Sequence, residues 1–562
     1  MLAPSSSNTG PSSSGRWLGL KRRGARANEA DENGPILSVD GLTVALPKGA
    51  DRALAVDNVT LELRKGEILC VVGESGSGKS ALSGAIMGAP APGLRVAGGS
   101  VRLCGKELTR LSERAWCRIR GNRIAMIFQE PMAALNPAMP VGQQIMEVFE
   151  LHARQMDQEL RRERALALIQ SMQLPDPERI FGSYPHQLSG GQCQRVIIAM
   201  ALAMNPEVLI ADEPTTALDV TTQAQVLKLI RELRTLQGHA ILFITHDFGV
   251  VAEIADRIAV MRHGRIIEMG EARQVLTQPQ HPYTRELLAA VPSLVPPADH
   301  SEPSVVGAAA AKPVLAVTGL KKSYGHVHAV NEISFDLERG KTLSIVGESG
   351  CGKSSLARMI VRLSEPTGGR VDVNGKCFLT LTGGELRTSC RAVQMIFQDP
   401  FGSLNPLRRV GAVITRAAML AGADGRTARE RAEELIERVG LPREALDRRP
   451  AAFSGGQKQR IGIARALAMK PDVLIADESL SALDASSQAQ ILALLRKLQS
   501  ELGLAILLIT HDLRVAAQIS HRIAVMQAGR IVEIGSAEQV INSPEHPYTR
   551  ELLDSAPGRG LV

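Results

Sequence analysis

The sequence is poor in the features that would place it across a membrane, on a structural metal or outside the cell. Its longest uninterrupted apolar run, Val196 to Met204, is nine residues, against the ~18 or more needed to cross a bilayer. No membrane-spanning helix is therefore expected. No secretory leader is expected either: the only apolar patch near the start is Trp17-Leu18-Gly19-Leu20, short of the ~7–15-residue apolar core of such leaders. The seven cysteines (Cys70, Cys104, Cys117, Cys193, Cys351, Cys377 and Cys390) are scattered, odd in number and never spaced C-x-x-C. That argues against a disulfide framework, a zinc site or a metal cluster. A net charge of +7 over 562 residues is mild, and a solvated surface with a basic tail accounts for it better than nucleic-acid binding. The balance fits a cytosolic protein.

What the sequence does have is a long internal repeat. Gly73-Glu74-Ser75-Gly76-Ser77-Gly78-Lys79-Ser80 returns as Gly347-Glu348-Ser349-Gly350-Cys351-Gly352-Lys353-Ser354. Both fit the phosphate-binding pattern G-x-x-x-x-G-K-[ST]. Lys79 and Lys353 stand 274 residues apart, Gln129 and Gln398 269 apart, and from Ser189 and Ser454 onward the offset holds at 265. This is a duplicated domain, not a solenoid with its ~20–50-residue period. The predicted organisation is a disordered Ser/Gly-rich basic tail over 1–34, one domain over 35–291, a Pro/Ala-rich linker over 292–312 and a second domain over 313–562.

Each phosphate loop follows a short apolar run, Ile68–Val72 or Leu343–Val346, and precedes a helical stretch. Strand, glycine loop and helix together present backbone N–H groups and a helix dipole to an anion. Lys79 and Lys353 are expected on the β- and γ-phosphates, and Ser80 and Ser354 on Mg²⁺. Two further apolar runs end in acids, Asp212-Glu213 and Asp477-Glu478. At the carboxyl end of a strand in a doubly wound sheet these lie beside the phosphate loop. Asp212 and Asp477 suit the metal side, and Glu213 and Glu478 suit a base that polarises water. A third run in each half ends at His246 or His511, both 34 residues past the metal-side aspartate, the place of a γ-phosphate sensor. Ser189-Gly190-Gly191-Gln192 and Ser454-Gly455-Gly456-Gln457 precede predicted helices over 195–204 and 460–469 and form a second anion site in each half. A second site is surplus to one nucleotide unless it serves a nucleotide held by the other domain.

These residues resemble the ATP-binding cassette (ABC) family of transport ATPases over nearly the whole chain from about residue 36. Ala217-Leu218-Asp219 and Ala482-Leu483-Asp484 add to the match. The resemblance implies an α/β fold: two tandem P-loop nucleotide-binding domains, each a RecA-like parallel-sheet core with an α-helical signature subdomain. It implies ATP and Mg²⁺ as ligands, with Gln129 and Gln398 joining Ser80, Asp212, Ser354 and Asp477 around the metal, and Asp219 and Asp484 on dimer loops. It implies head-to-tail pairing, with Ser454–Gln457 closing over Lys79 and Ser189–Gln192 over Lys353.

His281–Leu288, repeated as His546–Leu553, and the loops Ile127-Phe128-Gln129-Glu130-Pro131 and Ile396-Phe397-Gln398-Asp399-Pro400 narrow the resemblance to the bacterial peptide and nickel import subfamily. The fused form is most similar to the ATPases of dipeptide, oligopeptide and glutathione importers. That implies two separate transmembrane permease subunits, a periplasmic binding protein acting indirectly, no nucleic acid, and a peripheral place on the cytoplasmic face of the inner membrane. The permease contacts are expected near the Gln loops. Leu166, Ile169, Leu435, Ile436 and Val439 are expected to pack the helical subdomain.

Departures matter too. Tyr324 fits the aromatic that stacks on adenine, whereas the first copy has Leu46, which lacks a π face. Ser479 follows Glu478 where proline is common. The cysteine-rich tail of some relatives is missing, so no iron–sulfur cluster and no zinc are expected. Cys351 sits where a helix N-terminus can acidify a thiol; ATP-protected alkylation there is one expectation, and a small residue tolerated in the loop is the other. A soluble twin-cassette ATPase acting on the ribosome is the alternative reading, and a DNA-repair ATPase a third. The short, nearly uncharged linker and the lack of zinc cysteines argue against them.

Overall fold

The computed structural model describes residues 34–50, 52–216, 218–297, 312–398, 402–480 and 483–558. The tail over 1–33 and the linker over 298–311 lie outside the described residues. Among the described residues no helix is long and apolar enough to cross a membrane.

Each half has a six-stranded central sheet. In the first half its order is Arg265–Glu271, Arg257–Arg262, Ile68–Val72, Ala240–Thr245, Val208–Asp212, Ile124–Ile127. All neighbours are parallel except the edge pair Arg257–Arg262 with Arg265–Glu271. The second half repeats the order with Arg530–Ser536, Arg522–Gln527, Thr342–Val346, Ala505–Thr510, Val473–Asp477 and Val393–Ile396. The apolar runs of the sequence become the central strands, buried at every position. This is the signature of a parallel sheet covered on both faces.

A four-stranded antiparallel sheet covers one face. In the first half Leu37–Ala45 pairs with both Leu54–Leu63 and Arg95–Leu103. Leu37, Val39, Leu42 and Val44 point inward, and a register shift between Val39 and Leu42 keeps the apolar side toward the core. In the second half Leu315–Tyr324 does the same.

The helical layer comprises Val141–His152, Gln158–Ser171 and Gly190–Leu202, matched by Val410–Leu420, Gly425–Arg438 and Gly455–Ala468. Ile169, Leu435, Ile436 and Val439 are buried in its core and Leu166 is half-buried. Phe128, Met132, Phe397 and Leu407, on or just after the Gln loops, are exposed.

The helices predicted over 195–204 and 460–469 start five residues earlier, at Gly190 and Gly455. Ser189 and Ser454 cap them. The Ser189 Oγ accepts from Gln192 N at 3.3 Å while Gln192 Oε1 accepts from Ser189 N at 3.0 Å, and Ser454 and Gln457 repeat this. This capping box satisfies two otherwise orphaned N–H groups and offsets the low helix propensity of paired glycines.

Candidate active site

The phosphate loops are held by close backbone approach. Gly78 has φ of 109°, and a Cβ there would meet Ala55 O at 2.3 Å; Gly352 has φ of 108° and faces Ala329 O at 2.0 Å. No side chain fits at either place. Lys79 folds back over its loop and donates from Nζ to Gly73 O at 2.7 Å and Glu74 O at 2.9 Å. Lys353 does the same to Gly347 O and Glu348 O at 2.8 and 2.7 Å. Burial pushes the Lys79 ammonium down, while Glu213, Asp212 and Asp484 pull the other way. The Ser77 hydroxyl is buried in this cradle without a hydrogen-bond partner. The remaining loop residues Ser75, Gly76, Ser349 and Gly350 form the turn itself.

Beside each loop stands the acid pair. Ser80 Oγ donates to Asp212 Oδ1 at 3.3 Å, and Ser354 Oγ to Asp477 Oδ1 at 3.1 Å. Burial raises both aspartates above the usual carboxylate range, with the serine hydroxyls opposing it. A hard cation relieves that penalty, and hydroxyl plus carboxylate oxygen is the donor set Mg²⁺ takes. Gln129 Nε2 donates to Glu213 Oε2 at 2.9 Å and Gln398 Nε2 to Glu478 Oε2 at 2.7 Å. The amide oxygens of both glutamines remain for such a cation.

His246 Nδ1 lies 3.2 Å from Glu213 Oε1, and His511 Nδ1 lies 3.8 Å from Glu478 Oε1. Burial works against ionisation of Glu213, but the His246 hydrogen bond and charge, with Lys79, outweigh it and hold the carboxyl low. The same contest, with His511 and Lys353, keeps Glu478 low. His246 loses to burial, but its bond to Glu213 raises it overall.

No local pattern announces that Glu213 and Glu478 adopt left-handed backbone, φ 47° and 43°. This conformation costs a non-glycine residue about 1–3 kcal/mol. Glu213 N, bonded to Ile244 O at 2.9 Å, and Glu478 N, bonded to Ile509 O at 2.8 Å, lock the turn to the neighbouring strand.

Contacts between the halves run through the dimer loops. Thr221 Oγ1 donates to Asp219 Oδ1 at 2.8 Å and lies 2.7 Å from Glu348 Oε1 on the opposite phosphate loop. Asp484 Oδ2 accepts from Ser75 N at 3.4 Å. Ser189–Gln192 and Ser454–Gln457 stand partly or fully exposed at their helix starts. Among the described residues no hydrogen bond joins them to the opposite phosphate loops. Ala217, Ala482, Asp399 and Pro400 lie outside the described residues.

Three features escaped the sequence. Tyr283 and Tyr548 of the two His-Pro-Tyr-Thr elements are buried, and their hydroxyls accept from Glu74 N at 3.4 Å and Glu348 N at 3.2 Å. His281 and His546 start those helices by accepting from the tyrosine N–H groups through Nδ1. Near the half-buried Leu46, Arg52 donates from Nη2 to Gly76 O at 2.5 Å, so an arginine leans on the first loop. Tyr324 itself is exposed, with Lys322 Nζ 5.0 Å from its ring centre.

Cys351 is buried, and burial raises its thiol above the ordinary value despite Lys353 beside it. Its Sγ lies 3.8 Å from Lys353 Nζ, and the burial favours a small packed residue over an acidified thiol.

Residues 56–216 and 330–481 match the family model described as ABC transporter, and 267–312 and 532–559 match that described as the oligopeptide/dipeptide transporter C-terminal region. The chain belongs to the ABC transporter family, with two ATPase cassettes in tandem, and its chemistry is ATP hydrolysis. It is 46% identical over 563 residues to glutathione import ATP-binding protein GsiA of Salmonella choleraesuis (strain SC-B67), covering 93% of this chain and 89% of that one. It is 46% identical over 568 residues to the protein of the same name from Escherichia coli O157:H7, covering 93% and 90%. These relatives give the ribosomal alternative no support. Among solved structures it is similar to a dimeric, post-hydrolysis ATP-binding cassette bound to ADP and Pi, at 30% identity and TM-score 0.39, covering 42% of this chain and 99% of that one.

Proposed function

We propose that this chain is the energising subunit of a bacterial peptide importer, with dipeptides, oligopeptides or glutathione as cargo. It would lie peripherally on the cytoplasmic face of the inner membrane, docked on two permease subunits fed by a periplasmic binding protein. The observation that carries this reading is the doubled triangle of Gln129, Glu213 and His246 with Gln398, Glu478 and His511, in a chain that also carries two C-terminal elements of the oligopeptide/dipeptide type. The names of the glutathione-import relatives support the cargo class. The exposed Phe128, Met132, Phe397 and Leu407 supply apolar surface beside the Gln loops for the permease helices.

Glu213 stays ionised and is held on both oxygens, by Gln129 and Thr216 on Oε2 and His246 on Oε1, and Glu478 stays ionised and accepts from Gln398 on Oε2 with His511 3.8 Å from Oε1, so each carboxylate is oriented before a water arrives. Such a base is worth roughly 10²–10⁴ in rate. His246 and His511 hold these carboxylates and reach toward the γ-phosphate. Lys79 and Lys353 meet the β- and γ-phosphates across their loops. Ser80, Asp212 and Gln129, and Ser354, Asp477 and Gln398, would hold Mg²⁺, which neutralises charge on the phosphate oxygens. Asp219 and Asp484 carry each site's state to the other half. In this reading Ser454–Gln457 close over the first nucleotide and Ser189–Gln192 over the second, and hydrolysis releases that grip. Holding both cassettes in one chain raises their effective concentration for each other. The domain limits 35–291 and 313–562 follow the two repeats.

The test is uptake of labelled dipeptides, oligopeptides and glutathione by a strain lacking this chain, with and without complementation. Restored uptake of at least one class is expected. Complemented cells that import none would overturn the cargo assignment.

A further inference from the structure

The loops that follow the two switch histidines meet at the contact between cassettes, and they do not meet symmetrically. Asp247 and Asp512 are equivalent positions of the repeat, 265 residues apart. One guanidinium serves both. Arg514 donates from Nη1 and Nη2 to Asp247 Oδ1 and Oδ2 at 3.1 and 2.9 Å, and from Nε and Nη2 to Asp512 Oδ1 and Oδ2 at 3.2 and 3.1 Å. The equivalent of Arg514 in the first cassette is Gly249. A Cβ at Gly249 would lie 2.5 Å from Arg514 Nη1 and 2.9 Å from Pro557 O. One side supplies the arginine, and the other supplies the space for it.

The aspartates are wired to their sites. Each follows its switch histidine directly. Asp247 N donates to Thr245 Oγ1 and Asp512 N to Thr510 Oγ1, both at 3.0 Å. Asp247 Oδ1 also accepts from Gly249 N at 2.8 Å and Asp512 Oδ1 from Arg514 N at 2.9 Å, capping the following helices. A cavity of about 80 Å³ at this junction is lined by His246, Asp247, His511, Asp512 and Arg514 together. Bidentate pairing fixes a carboxylate in angle as well as distance. Without the guanidinium, two like charges would face each other in a half-buried contact. A shift of either loop on γ-phosphate loss therefore strains a bond that the other loop shares.

We propose that Arg514 is a positioning residue that ties both switch-histidine loops to one guanidinium and so makes each ATP site's turnover depend on the state of the other. This rests on the reading of His246 and His511 as γ-phosphate sensors.

The test uses the full chain and reads the dependence of one site on the other. In the wild-type background, Glu213→Gln or Glu478→Gln alone is expected to lower total ATPase activity at least ~10-fold, because coupling energies between linked sites of this kind typically correspond to ~5–150-fold. In the Arg514→Gly background each single change is expected to cost only about twofold, as for two independent sites, and the Hill coefficient for ATP should fall to about one. Arg514→Lys keeps a positive charge between the two aspartates without the bidentate fork and should restore both values only in part. A merely structural role would change melting temperature and leave these ratios alone. If single Gln variants stay as inactive with Arg514→Gly as without it, the proposal is wrong. Should Arg514→Gly fail to fold, Arg514→Gln decides: folded, with single Glu→Gln variants as inactive as in the wild-type background, it overturns the proposal. If the double Glu213→Gln, Glu478→Gln variant kept full activity, the catalytic reading itself would fail instead.

Discussion

The two cassettes share a strand order and the Gln–Glu–His triangle but differ around the proposed nucleotide site. The first has Leu46 and Arg52 where the second has Tyr324, Ser77 where the second has Cys351, and a glycine where the second has Arg514. Asp212 receives Ser83 Oγ at 3.1 Å in addition to Ser80, whereas the second cassette has Ala357 at the matching position. His246 sits closer to its glutamate than His511 does, by 3.2 against 3.8 Å. The loop lysine, the metal-side aspartate and the Gln–Glu–His triangle are kept in duplicate, and positions inside the loop, at the end of the first strand and between the halves have diverged. A doubled enzyme can lose symmetry in affinity and communication without losing it in chemistry.

The largest break in the comparison should come from the shared groups. Glu213→Gln and Glu478→Gln are each expected to lower turnover by roughly 10²–10⁴ at the altered site, read as phosphate release with site-resolved nucleotide trapping. Similar losses in both cassettes would confirm the duplicate chemistry. A variant that left its own site turning over would remove that glutamate from the mechanism.

The next effect should separate the cassettes. Tyr324→Ala removes a stacking face worth ~1–3 kcal/mol per base and should weaken nucleotide binding at the second site by roughly 5- to 150-fold, while Leu46→Ala barely changes the first. Leu46→Tyr should narrow the gap. Photolabelling with an azido-ATP, followed by cleavage between the cassettes, reports each site alone.

A pH effect should be confined more to the first cassette. Its glutamate is held low and its histidine high, so their attraction is complete only where both are charged. That contribution is present above the unfolded carboxylate range, near pH 4.3, and below the unfolded histidine value, near 6.5. It fades as pH falls through the lowered Glu213 value and as pH rises through the raised His246 value. Melting curves of wild type and His246→Ala from pH 4 to 9 should differ most between these limits and converge at alkaline pH. A constant difference would show that the pair is not ionic.

The smallest expected change concerns Tyr283 and Tyr548. Replacing each with Phe removes one hydrogen bond to a phosphate-loop N–H, worth about 0.5–1.5 kcal/mol. ATP affinity should fall a few-fold at that site with little change in turnover, measured by equilibrium binding. A loss of turnover without a loss of affinity would assign the tyrosine another role.

Much of this arrangement was legible in the residues. The apolar runs Ile68–Val72 and Val208–Ala211 read directly as buried parallel strands because no polar residue interrupts them. The phosphate loops and acid pairs followed from short local patterns. The helix starts at Gly190 and Gly455 did not, because a Gly-Gly pair has poor helix propensity and only the Ser-to-Gln capping box rescues it. The left-handed glutamates, the tyrosines under the phosphate loops and the Arg514 bridge depend on partners 31, 200 to 209 and 267 residues away. Patterns of local period carry no trace of such pairings.

A short stretch after the first cassette has a consequence for cutting the chain. Ser293 O and Val295 O both accept from Gln518 Nε2 at 2.9 Å, and Leu294 packs on an apolar cluster that includes Tyr548 and Leu552. The first cassette thus ends in a strap seated on the second. Pieces made separately as 1–297 and 312–562 should recognise each other by that strap and reassemble from two polypeptides, so peptide-bond continuity is a convenience of delivery more than a condition of partnership.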